Sequence, residues 1–146
     1  MSTPYLDQLR RHYAQWIPHA RDCGLEATEV SAESAVLRLP WRPDWLGDPG
    51  RGRLHTGLLT MLADSTCGIA LLARIGEPQA VATLDLRMDY LRASLAGRDL
   101  WCRAQCHRLT PQIAFVRGSL WQDDPAQPVA EVLATFMRGR AGSRVV

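Results

Sequence analysis

The sequence has no lysine; all 17 of its basic residues are arginine. Every cationic side chain is therefore a planar, permanently charged fork of the kind that grips phosphate. A charge excess is missing too. The formal net charge is only +2 at pH 7, so nothing global draws the chain to nucleic acid or to a membrane surface. There is no unbroken hydrophobic span. The longest apolar stretch, residues 58–75, is interrupted by Asp64, Gly68 and Arg74, and it reads as a buried core helix rather than a membrane crossing. The opening MSTPYLDQLRRHY is charged early and shows no secretory leader. The four cysteines, Cys23, Cys67, Cys102 and Cys106, lack the paired spacing of metal ligands. Cys102 and Cys106 on one face of a strand would lie roughly 13 Å apart at about 3.3 Å per residue. They could neither bond nor share a metal there. These absences point to a reducing cytoplasm, with no metal and no cofactor expected.

What remains is an ordinary globular composition: 146 residues, 47% of them hydrophobic, expected to form one domain over 1–146. Residues 4–16 or 4–17 read as a helix. Thr3 caps it, Pro4 takes its first position, and Leu6, Leu9, Tyr13 and Trp16 form one apolar stripe. Pro18 and Gly24 end this N-terminal region, residues 1–23. Two short strands follow at 25–30 and 34–39. A long loop, 40–53, then carries three prolines, three glycines and two tryptophans; loops of that length inside a compact domain are often functional.

A long helix spans 55–75 and stops at Gly76 and Pro78. Four strands complete the chain at 80–91, 99–109, 112–122 and 129–137. In the first of them Ala82, Leu84, Leu86, Met88 and Tyr90 alternate with Thr83, Asp85, Arg87 and Asp89. The short joints LTPQ and QDDPAQP predict an antiparallel meander. Residues 139–146 read as a frayed tail. The pattern is α+β: a curved antiparallel sheet wrapped around one long central helix, so that both bury their apolar faces.

The helix carries a single acid in its middle, Asp64. It lies about two turns in, so it is no cap, and Met61, Leu62, Ala63, Ile69 and Leu72 leave it a dry setting. Burying an unpaired carboxylate costs several kcal/mol, about the largest single penalty a core accepts. One reading is a structural hydrogen bond across an interface. The other is a general base, or a carboxylate that positions water. His55 stands just before the helix, where the first-turn amides of Thr56 and Gly57 can hold a developing oxyanion. Thr83 could hold a nucleophilic water beside Asp64, or simply be a β-branched strand former. Asp85, Arg87 and Asp89 read as a solvated ladder, and Cys67 as packing. Eight residues separate Thr56 from Asp64, about 12 Å along a helix. No single carbonyl reaches both ends. If both act on one carbonyl, they come from two copies of the chain, so a homodimer with two equivalent sites is expected.

These residues resemble the hot-dog thioesterase superfamily, in particular the phenylacetate-degradation type and its relatives that cleave aroyl-CoA. The similarity runs over residues 24–136. It rests on His55-Thr56-Gly57 at the helix opening, Leu62-Ala63-Asp64 inside it, TLDLRMDYLRAS in the next strand, and Phe115-Val116 and Ala134-Thr135-Phe136 in the last strands. Two positions depart from the pattern: Thr56 replaces a glycine, and the loop before His55 holds no asparagine. The resemblance implies a hot-dog fold and an acyl-CoA substrate. It implies a thioester hydrolase in which Asp64 is base or nucleophile, the Thr56 amide polarises the carbonyl, His55 lies near the thioester and Thr83 serves the water. Arg53 and Arg92 are the choices for the CoA phosphates. A dimer of dimers stays open, as do acyl length and the choice between CoA and carrier protein. Two rivals stand beside it: a hot-dog hydratase or dehydratase using Asp48 with His55, and a non-catalytic acyl-CoA binder.

Overall fold

The computed structural model describes residues 3–141. Helix α1, Pro4–Trp16, starts as its sequence dictates: the Thr3 hydroxyl accepts the Leu6 amide at 3.3 Å, and Leu6 and Leu9 face the core. The chain does not simply stop after it. Ile17 is extended, and a second helix, α2, runs over Pro18–Cys23. Proline at its first turn and Gly24 in the left-handed region (φ 73°) bound it, with the Gly24 amide returning to Ala20 and Arg21. The two residues expected only as terminators thus enclose a helical turn of their own.

Strands β1 (Glu26–Val30) and β2 (Ala35–Leu39) form a hairpin. The long loop is structured. It holds two 3₁₀ turns and a small ladder between β3 (Leu46–Asp48) and β4 (Arg53–Leu54). Helix α3, Gly57–Ile75, then crosses the concave side of the sheet, with Leu59, Leu62, Ile69 and Leu71 fully buried. Gly76 closes it in the left-handed region at φ 83°. Among the described helices it alone is long and apolar enough to cross a membrane, and it is the core helix of this fold.

Strands β5 (Gln79–Tyr90), β6 (Leu100–Leu109), β7 (Ile113–Trp121) and β8 (Ala130–Ala141) follow. The six-stranded antiparallel sheet has the order β1-β2-β6-β7-β8-β5. The expected meander therefore holds for β6 to β8 only. β5 lies at the far edge, paired with β8 along its length, because the 91–99 connection carries the chain past the whole meander. Curved sheet and long helix form the hot-dog arrangement. β8 also runs further than expected: residues 139–141, predicted to fray, belong to it, and 142–146 lie outside the described residues.

The largest correction lies inside β5. Its ladder with β8 slips between Thr83 and Asp85: Thr83 faces Phe136, Asp85 faces Thr135, and Leu84 is an extra residue with no partner. This β-bulge reverses the parity of the strand. Leu86 and Met88 face the core as their alternation predicts. Ala82 and Leu84 do not; Leu84 is 55% exposed. Thr83, assigned by alternation to the outer polar face, turns inward to the helix. Arg87 and Asp89 keep the outer face, paired at 3.2 Å.

Candidate active site

Asp64 projects from the middle of α3 toward β5. The Thr83 hydroxyl donates to Asp64 Oδ1 at 2.8 Å. A carboxylate bonded on one oxygen keeps the other for a second donor, which is what a general base for water needs. The setting is less dry than the sequence suggests. Asp64 and Ser65 are half-buried and line a cavity of about 320 Å³ between α3, α1 and the β5–β8 edge. α1 occupies this side with Tyr13, so the acid has an open approach instead of a packed neighbour. Burial, then the Asp64 charge, push the Tyr13 phenol up to about 12.

The start of α3 is built by the loop before it. Trp45 O accepts the His55 amide at 3.0 Å, and Gly47 packs so closely on His55 that a Cβ there would lie 2.7 Å from its Cα. His55 Nδ1 accepts the Gly57 amide at 3.0 Å. That bond places the ring proton on Nε2. Gly57 permits it, since a Cβ on Gly57 would meet Nδ1 at 2.9 Å. Of the two amides expected to face an oxyanion, Gly57's is thus engaged by the imidazole. Thr56's makes no hydrogen bond among the described residues. His55 and Trp45 line a second cavity of about 310 Å³, which shares His19 and Met61 with the lining of the Asp64 cavity.

Thr56 faces a third cavity, of about 300 Å³, together with Arg53, Tyr90 and Arg92. Both arginines chosen for phosphate thus share a groove with the Thr56 end of the helix. Arg92 is held there by Gln127 at 2.7 Å, and the Tyr90 hydroxyl bonds Thr60 at 2.8 Å. Within one chain, then, Asp64 and Thr83 form one half of the expected constellation and Thr56, Arg53 and Arg92 the other. Asp48 is engaged elsewhere than at His55: it caps a 3₁₀ turn by accepting the Arg51 amide and pairs with that residue's guanidinium at 3.8 Å. All four cysteines are free and buried. Burial pushes the Cys67 thiol well up and the Cys102 thiol to about 12, as inert packing residues require.

The Thioesterase superfamily sequence profile matches residues 51–129. The chain belongs to this superfamily. The match contains His55, Thr56, Gly57, Asp64, Thr83 and Arg92 and leaves out both N-terminal helices. A Pseudomonas aeruginosa protein of known crystal structure is 37% identical, covering 92% of this chain and 99% of that one, with a TM-score of 0.81. A single-residue mutant of the phenylacetic acid degradation protein PaaI from Thermus thermophilus is 30% identical, covering 84% and 99%, with a TM-score of 0.72. A proposed esterase of Halobacterium salinarum is 33% identical over 72 residues, 47% of this chain and 48% of that protein, so the match spans about half of the curated relative.

In this superfamily member, three contributors escaped the sequence. Tyr13 reads as part of the α1 core stripe, and nothing in its spacing betrays a hydroxyl turned into a cavity. His19 lies in a helix too short to show periodicity. Gly47 sits in a glycine-rich loop where one close contact cannot be told from ordinary turns.

Proposed function

We propose that the protein hydrolyses acyl-CoA thioesters as a homodimer, with Asp64 as the general base. The 2.8 Å bond from Thr83 to Asp64 carries this reading, because a helix acid and a strand hydroxyl meet at the wall of an open cavity. The free Asp64 oxygen takes a proton from water while the water oxygen attacks the thioester carbonyl. The oxyanion forms against the unengaged Thr56 amide at the positive end of a helix. The tetrahedral adduct then expels the CoA thiolate, which recovers the proton. Arg53 and Arg92 bind CoA phosphate. The acyl-CoA pool of a reducing cytoplasm is the setting that fits four free thiols.

The placement of the half-sites supports the two-copy reading. Thr83 and Tyr90 lie on one strand, about 23 Å apart at about 3.3 Å per residue. β5 is the edge of the sheet, with β8 its one strand neighbour among the described residues. Two copies of β5 laid antiparallel along that edge set the Thr83 end of one beside the Tyr90 end of the other. Asp64 of one protomer then faces Thr56, Arg53 and Arg92 of its mate, twice over by symmetry.

The test follows free thiol released from a panel of acyl-CoAs. Asp64→Asn is expected to lower kcat by about 100-fold or more, the usual worth of a general base. Thr83→Val, which removes one hydrogen bond to a charged group, is expected to lower it by about 10-fold or more. An Asp64→Asn enzyme as fast as the natural one would remove the mechanism. One observation favours a second reading, acyl-CoA binding without turnover: His55 occupies one of the two oxyanion donors. Tight binding with no thiol release would select it. The hydratase reading needs an acid beside His55, and Asp48 is bonded to Arg51 instead.

A further inference from the structure

The Tyr13 side chain is part-buried, and its hydroxyl makes no hydrogen bond among the described residues. No buried side-chain polar atom among those residues is left unpaired, so this hydroxyl is open to the cavity it lines with Asp64 and Thr83. A Cβ built on Gly68 would lie 3.6 Å from the phenol oxygen. Tyr13 therefore sits over Gly68, one turn beyond Asp64 and away from the start of α3. Leu72, Val81 and Phe136 close the cavity beyond it. A polar group with no protein partner at the apolar end of a pocket is satisfied only by water or by a ligand.

We propose that Tyr13 is a substrate-contacting residue that selects acyl groups carrying a hydrogen-bonding substituent on their tail. The inference rests on the thioesterase reading of the same cavity. Asp64 marks where the reacting carbonyl sits, and Gly68, Leu72 and Phe136 receive the acyl tail beyond it. Tyr13 sets its phenol oxygen over Gly68, in a cavity that Ser65 and His19 also line, and it stays protonated through the physiological range. It donates to an oxygen on the tail. A tail without such an oxygen strips water from the phenol and returns nothing, so the site discriminates against it. Tyr13 lies outside residues 51–129, the segment matched to the superfamily. The selector thus sits on the N-terminal helix and not on the hydrolytic framework.

The experiment uses two straight-chain acyl-CoAs of equal length, one with a hydroxyl on the terminal carbon, and the corresponding pair of non-hydrolysable thioether analogues. The intact protein is expected to favour the hydroxylated thioester in kcat/KM, and the hydroxylated thioether in Kd, by about tenfold, the upper worth of one neutral hydrogen bond. Tyr13→Phe keeps the ring and its packing. It is expected to bring both ratios to about one, in part by raising kcat/KM for the plain chain, which no longer strips water from a phenol. A preference that survives Tyr13→Phe, or an intact protein that shows none in either measurement, overturns the assignment. A thioether preference lost in Tyr13→Phe, in a protein that releases no thiol, keeps Tyr13 as selector and ends the hydrolase reading instead. Failure to bind either thioether ends both.

Discussion

Thr83 and Asp64 acquire their meaning from geometry on the scale of single atoms. A threonine bonded to a carboxylate oxygen fixes the rotamer of the acid and leaves its second oxygen to the substrate side. His55 does comparable work at the start of α3, where its Nδ1 takes up the Gly57 amide. The phenol and thiols add a stability effect whose sign is fixed. Cys102 moves from an ordinary 9.0 to about 12, and Tyr13 from 10.0 to about 12, both chiefly through burial. A group that stays protonated in the fold but ionises when unfolded stabilises the fold fully below its unfolded value. That contribution is lost as pH rises toward the folded value. The thermal midpoint is therefore expected to fall once pH passes about 9 and to keep falling toward 12. A midpoint flat or rising across that window would show that these groups are not buried as described.

β5 decides the layout at the scale of elements. Its bulge at Leu84 turns Thr83 to the helix, and its position at the sheet edge leaves it one unpaired side. A long edge strand offers backbone groups for pairing with another chain. Leu84→Asp places a charge on the bulge residue, which is 55% exposed and partnerless in its own ladder. It is expected to leave the fold intact and to weaken self-association by at least about tenfold, the effect of about 1.4 kcal/mol. Sedimentation at several protein concentrations reads this; an unchanged dimer would place the interface elsewhere.

The same strand shows what its sequence could and could not say. Leu86 and Met88 announce a core face by alternation, and they take it. Ala82 and Leu84 continue that alternation in letters while the backbone slips beneath them, because a bulge adds a residue without changing the apolar pattern. The helix acid and the helix opening of the candidate site were legible, since a lone carboxylate in an apolar helix and a histidine at its start stand out chemically. The pairing of β5 with β8 was not, because it joins segments distant in the chain, past the locally paired β6 and β7. α2 was half legible: its proline and glycine stood in the sequence as stops, while the five residues between them are too few to show a helical period.

Across the whole molecule, the two half-sites proposed for one chain lie about 23 Å apart along β5, at about 3.3 Å per residue, and in the proposed dimer a two-fold partner closes that distance. This is also the oldest inference the sequence offers, since eight helical residues between Thr56 and Asp64 already forbid one carbonyl from touching both. On that reading neither half is complete: Asp64 with Thr83 supplies the base, and Thr56 with Arg53 and Arg92 the oxyanion donor and the cations.

Mixing two inactive variants measures that dependence directly. Asp64→Asn removes the base; Thr56→Pro removes the amide at a residue whose φ of −64° already suits proline. Each variant alone should be nearly inactive. Unfolded together in equal amounts and refolded, they should pair at random, and each mixed dimer should hold one complete site. Specific activity is then expected to recover to about a quarter of the natural enzyme's. A mixture no more active than the sum of its parts would mean that base and amide act within one chain, and the shared site would be wrong.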